Sequence, residues 1–213
     1  MTRLEEPVER YLRHAVQSDR PPAEVRMTMT GQIRVGPWLP FRALETCDGR
    51  SFAWRAVVAH GLLVVTDRFE NGSGSSEGRL FGRRRVFHAA DEDSTRSAAG
   101  RAALEAVWCP TSLLPEHGVS WRAESDEVIV ATWDVPPERP EVHLRIDGDG
   151  AVRSAWAHRR RGSTYAICGC EVHEERRWGD LVVPSRVTVG WDFGTPAYRP
   201  FFRAQIDDLA DNY

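Results

Sequence analysis

The sequence predicts a mainly β (α+β) fold. The expected form is a curved antiparallel sheet or half-barrel of about ten strands. A central helix at about residues 94–108 covers its concave face, and a short helix precedes the sheet. Three observations carry this. Apolar and polar residues alternate through most of the chain, as in VRMTMTGQIRV at 25–35, and a period of two marks a half-buried strand. Turn residues recur between the alternating runs, at Asp48-Gly49, Gly61, the Asp147–Gly150 run and Gly179-Asp180. One segment breaks the pattern: RSAAGRAALEAVWCPTSLLP, residues 96–115, is Ala-rich and stops at proline. With no repeat or linker, residues 1–213 read as a single domain.

In chain order, Pro7 suits a first helical turn, where its missing N–H costs little. Val8, Tyr11, Leu12, Ala15 and Val16 then share one helix face, and SDRPP at 18–22 ends it. Strands follow at 25–35, 38–47, 51–58 and 62–69. NGSGSSEG at 71–78 reads as a flexible hairpin loop, and RLFGRRRVFHA at 79–89 as the returning strand. Beyond the central helix, strands are expected at 119–123, 127–135, 141–147, 151–159, 164–178, 181–191 and 201–209. In the run at 181–191, Leu181, Val183, Ser185, Val187, Val189 and Trp191 fall on one face. EVIVATW at 127–133 is apolar on both faces, so its second face needs cover, which a helix can supply.

The central helix has candidate caps in Asp93 or Ser94. Its small residues, Ala98 to Gly100 and Ala102-Ala103, permit close approach to a sheet, and Leu104, Val107 and Trp108 add an apolar side. Ser97, Arg101, Glu105 and Trp108 form one stripe, with Arg101 and Glu105 spaced to pair. That stripe either makes an ordinary surface ion pair, ties the helix down as a buried pair, or faces a cavity as its few polar groups.

Composition excludes several classes. The formal net charge is −3, which argues against a nucleic-acid partner. All 28 basic residues are Arg. Schiff-base catalysis, a P-loop lysine and a Ser–Lys dyad are therefore ruled out. The first residues, MTRLEEPVERYLRHAV, lack the apolar run of a signal peptide. No stretch approaches the ~18 apolar residues of an integral membrane segment. The expectation is a cytoplasmic protein with Cys47, Cys109, Cys168 and Cys170 reduced. No cofactor motif is present, and no metal site is expected. Cys168, Cys170 and His173 lack the usual zinc-knuckle spacing. Gly74–Gly78 matches G-x-S-x-G, but a strand-like segment follows it where a nucleophile elbow needs a helix. The triplets Arg83–Arg85 and Arg159–Arg161 read as solvated sheet edges or as an anion-binding rim.

The pattern RSAAGR-x3-E-x2-W-x-P-x2-LLP resembles the signature of an uncharacterised bacterial family of unknown function. PFRA at 40–43, WRA at 54–56, FG at 81–82 and PSRVTVGW at 184–191 agree with it. That family is similar in layout to the lipoprotein-carrier (LolA-type) half-barrels, curved antiparallel sheets with helices lying in the concave face. The resemblance implies this fold and an apolar ligand, and it supplies no catalytic residues.

Two functions from different classes follow. The first is binding of a hydrophobic or amphipathic small molecule, such as a lipid, fatty acid or polyketide-like compound, between sheet and helix. Trp54, Trp108, Trp191, Met27 and Met29 would form the walls. Arg101 would meet a carboxylate or phosphate head, with Glu105 beside it. The second is a cofactor-free cyclase, isomerase or dehydratase using Glu105 as acid or base and Arg101 to tune it. Asp67 and His60 are second-tier candidates there.

Overall fold

A computed structural model describes residues 4–18 and 21–211. Among these residues thirteen strands form a single antiparallel sheet. One arm is β1 (Val25–Arg34), β2 (Trp38–Cys47), β3 (Phe52–Val58), β4 (Leu63–Glu70), β5 (Ser73–Leu80) and β6 (Arg84–Ala89). The other is β7 (Ser120–Ala123), β8 (Val128–Thr132), β9 (Glu141–Ile146), β10 (Val152–Arg161), β11 (Thr164–Trp178), β12 (Leu181–Trp191) and β13 (Arg199–Asp211). The spatial order runs β6 to β1, then β13 to β7. β1 pairs with β13 from Val25↔Asp211 to Ile33↔Phe202, with one bulge at Thr28/Met29, so the first and last strands meet at the centre of the sheet.

This order explains why the helix lies in mid-sequence. The chain winds outward along one arm to the β6 edge and must then reach the opposite edge, β7. The connection is α2 (Glu92–Glu105), continued by short 3-10 turns at Ala106–Trp108, Pro110–Leu113 and Pro115–His117. It packs on β4 and β5 of one arm and on β10 of the other. Ala99, Ala102 and Ala103 are fully buried beneath it, small enough to let the helix axis approach the sheet. α1 (Glu6–Ala15) buries Val8, Tyr11, Leu12 and Ala15 against β7, β8 and β12. Residues 19 and 20 of the expected SDRPP stop lie outside the described residues.

Three local expectations need correction. The cap of α2 is Asp91, whose extended backbone lets its carboxylate accept from the Ser94 N–H at 2.7 Å, so the helix begins before Asp93. The count of thirteen exceeds ten partly because residues 79–89 turn at Phe81-Gly82 and divide between β5 and β6. The segment NGSGSSEG is no loop, since it turns only at Asn71-Gly72 and then runs as β5. Its glycines are packing devices. A Cβ on Gly74 would lie 2.7 Å from Ala98 and 2.8 Å from the Thr95 Cα of α2, and one on Gly78 would lie 2.0 Å from the Phe87 ring. The Gly/Ser composition that reads as flexibility is what lets a strand run beneath a helix.

Candidate functional site

α2 aims its polar stripe at the concave face. The Arg101 guanidinium donates from Nε to Glu105 Oε1 at 2.5 Å and from Nη1 to Asp67 Oδ2 at 2.8 Å. Its Nη2 reaches Glu45 Oε1 at 3.3 Å. Asp67 Oδ1 in turn accepts from Ser76 Oγ at 2.5 Å. The same guanidinium lies over two aromatic faces, 4.3 Å from the Phe52 centroid and 5.1 Å from that of Trp54, an arrangement favourable for a desolvated cation.

The charges in this cluster are unequal. Burial disfavours the cation on Arg101, yet Glu105, Glu45 and Asp67 together hold its pKa above the ordinary value. Glu45 is 1% exposed. Burial first, and then Glu105 beside it, raise the Glu45 carboxyl well above the usual range, against the pull of Arg101. Folding therefore favours the protonated form of Glu45. Glu105 Oε2 is buried with no hydrogen-bond partner among the described residues.

Beside the cluster lies a cavity of about 320 Å³ between sheet and helix. Ile33, Leu63, Val65, Val187, Val189 and Phe202 give it apolar walls, with Leu104 and Val107 as its helix side. Of the residues singled out in the sequence, Trp54, Asp67, Arg101, Glu105 and Trp108 line it together. Trp108 is further fixed by its indole N–H, which donates to Pro184 O at 3.0 Å. The remainder lie elsewhere. Met27 and Met29 are buried in the core along β1 and are not part of the wall. Trp191 sits one layer out, stacked on the wall residue Phe201 with centroids 5.9 Å apart. His60 is exposed in the β3–β4 turn with left-handed φ of 57°, outside the cavity.

Sequence reasoning missed Glu45; it met Ser76 only in the rejected G-x-S-x-G match and Arg159 only in a triplet read as a sheet edge or an anion-binding rim. Glu45 carries a readable signal, because alternation along β2 puts it on one face with Phe41, Ala43 and Cys47. A carboxyl in an apolar row is a buried carboxyl. Arg159 likewise follows Ala155 and Ala157 on the buried face of β10, although it hides in a basic triplet. Its Nε donates to Ser97 O at 2.8 Å, and its guanidinium lies 5.3 Å from the Trp191 centroid. Among the described residues no carboxylate pairs with it.

A second, polar cavity of about 430 Å³ adjoins the first around the N-terminal half of α2, lined by Ser75, Ser94, Ser97, Asp91 and Asp93. Asp67, Ser76, Arg101 and Arg159 border both cavities and form the partition. The four cysteines are free, and Cys168 and Cys170 face the apolar cavity. Burial pushes the Cys170 thiol up to about 12 and raises that of Cys168, so neither is a thiolate nucleophile at neutral pH. Among the described residues no group of His, Cys, Asp and Glu is placed to hold a metal ion, and no helix is long and apolar enough to cross a membrane.

Two solved structures share the fold. A DUF1329 family protein from Desulfovibrio piger superposes with a TM-score of 0.50 at 10% identity, over 98% of this chain and 94% of that one. A LolA superfamily protein from Nitrosomonas europaea gives 0.52 at 9% identity, over 97% and 92%. No curated protein matches the chain. Residues 2–210 match the profile of a Family of unknown function (DUF6920).

Proposed function

The chain belongs to this DUF6920 family, and from its site we propose that it binds a hydrophobic or amphipathic small molecule between the sheet and α2. The observation that carries this is the cavity of about 320 Å³, apolar over most of its wall and polar at one side. Such a combination suits an aliphatic or polycyclic body with one polar end. The likeness to a LolA superfamily protein supports the layout. Arg101 is satisfied by three carboxyl groups, so the head of an anionic ligand is assigned instead to Arg159. That residue borders the cavity, has no carboxylate partner among the described residues and is backed by Trp191.

The test is uptake of a fluorescent fatty acid and of a neutral acyl alcohol by the purified chain, with native mass spectrometry for co-purified ligand. Arg159→Gln is expected to weaken uptake of the acid by about tenfold and to leave the alcohol within a factor of two or so, the usual scale for one charged hydrogen bond. Failure of the unaltered chain to take up either probe, with a clean apo mass, would remove the reading.

A second reading, a cofactor-free enzyme using Glu105 as acid or base, is favoured by one observation. Glu45, whose carboxyl pKa is raised by burial and by Glu105, stands beside Glu105 next to an apolar cavity. Paired carboxyl groups in a dry site can move a proton. Full turnover of any substrate identified by co-purification in Glu105→Gln would exclude that residue.

A further inference from the structure

We propose that the rim of the apolar cavity docks on an anionic lipid bilayer, from which the ligand enters or leaves. The passage of a ligand rests on the binding reading above, whereas the docking surface stands on separate observations.

The first is where apolar side chains protrude. Val35, in the β1–β2 turn, and Phe87, on β6, line the cavity while being 52% and 42% exposed. Leu62 in the β3–β4 turn and Phe81 in the β5–β6 turn are 46% and 71% exposed. Because β1 to β6 form a continuous antiparallel meander, these three turns leave the same end of neighbouring hairpins. Single exposed apolar residues are ordinary, but a row of them at the mouth of an apolar cavity marks an interaction surface.

The second is charge. Segments 31–42, 57–66, 78–90 and 196–204 at this end of the sheet contain no Asp or Glu in a chain of net charge −3, and Asp192 of the β12–β13 turn there is paired with Arg161 and Arg199. Arg34, Arg83 and Arg84 are exposed there and make no ion pair among the described residues. Arg203 is also exposed, with its guanidinium 4.4 Å from the Trp38 centroid. Apolar tips flanked by unpaired arginines fit a bilayer interface, the tips below the headgroups and the guanidiniums at the phosphates. A protein strand added to the free β6 edge would leave the tips at Val35 and Leu62 uncovered. A second copy would set arginine against arginine.

The full chain is to be sedimented with vesicles of phosphatidylcholine alone or mixed with phosphatidylglycerol, at low and high salt. Binding is expected only to the mixed vesicles and is expected to fall with salt. The double variant R83E/R84E should weaken it by about fivefold or more per arginine. Phe81→Asp should weaken it too, and Asp tolerates the left-handed backbone there, φ 49°. Both variants should take up dispersed fatty acid like the parent and melt at its temperature. Equal binding to both vesicle types, or variants that bind like the parent, would overturn the proposal. So would a dimer lost on Phe81→Asp in place of vesicle binding. A chain that takes up fatty acid but ignores vesicles defeats docking and leaves the binding reading standing. One that binds anionic vesicles without acyl uptake does the reverse.

Discussion

The two sides of Arg101 differ in kind. Toward one lies a space walled by aliphatic and aromatic side chains. Toward the other lies a space of similar size bordered by serines and aspartates. The guanidinium belongs to neither as a free group. It is held by Glu105 of its own helix, by Glu45 of β2 and by Asp67 of β4. The most conspicuous polar residues of the site tie α2 to the sheet, whereas the plainer apolar wall, with Arg159 at its edge, is left without such internal partners and is where the proposed ligand is placed. A buried ion pair adds little stability compared with an apolar replacement, but it fixes which arrangement is populated. Here it sets the height and rotation of the helix over the cavity.

The strongest way to break this division is Arg101→Met. The substitution keeps an unbranched side chain over Phe52 and Trp54 but leaves three carboxyl groups facing one another without a cation. The expected loss is about 3–5 kcal/mol in chemical denaturation, the scale for removing one partner of a buried ion pair. If Arg101 served a ligand instead, the ligand-free protein would lose little and uptake alone would suffer.

A smaller effect tests the other contact of the helix. Gly74→Val places branched carbon where Ala98 and the Thr95 backbone already sit at 2.7 and 2.8 Å. Forcing α2 off β5 is expected to cost about 1–3 kcal/mol, as overpacking does. Acyl uptake should fall with it because the same helix roofs the cavity. A melting temperature equal to that of the parent would show that the helix does not bear on β5.

Much of the fold was readable because its signals are local. Alternation in VRMTMTGQIRV and LVVPSRVTVGW specifies strands, and the Ala-rich segment specifies the helix, although its α-helical part ends at Glu105, ahead of the stop expected from Pro110. β5 was not readable, because its glycines answer to α2 and Phe87, partners distant or later in the chain. The site divides in the same way. The Arg101–Glu105 spacing is a property of one helix, so their pairing was legible. Their two further partners arrive from β2 and β4, 56 and 34 residues away. Met27, Met29 and Trp191 have the character of cavity residues, but the curvature of the sheet, which no local pattern encodes, decides that the space opens nearer Ile33 and Phe202.

The finest probe of the comparison is the protonation of Glu45. A carboxyl whose pKa is raised by folding contributes stability that is fully present below its unfolded value, near 4.3. That contribution is lost as pH rises toward the folded value. Glu45→Gln imitates the protonated acid in shape and in its ability to donate. At acidic pH the variant and parent should therefore differ by less than about 1 kcal/mol. As pH rises above that unfolded value the parent should lose stability relative to the variant, since only the parent has a proton to give up. Denaturant unfolding of both proteins across this range reads the difference directly, and groups common to both cancel. A flat difference would mean that Glu45 titrates as it does in the unfolded chain. A parent that gains on the variant as pH rises would mean that Glu45 is ionised against Arg101.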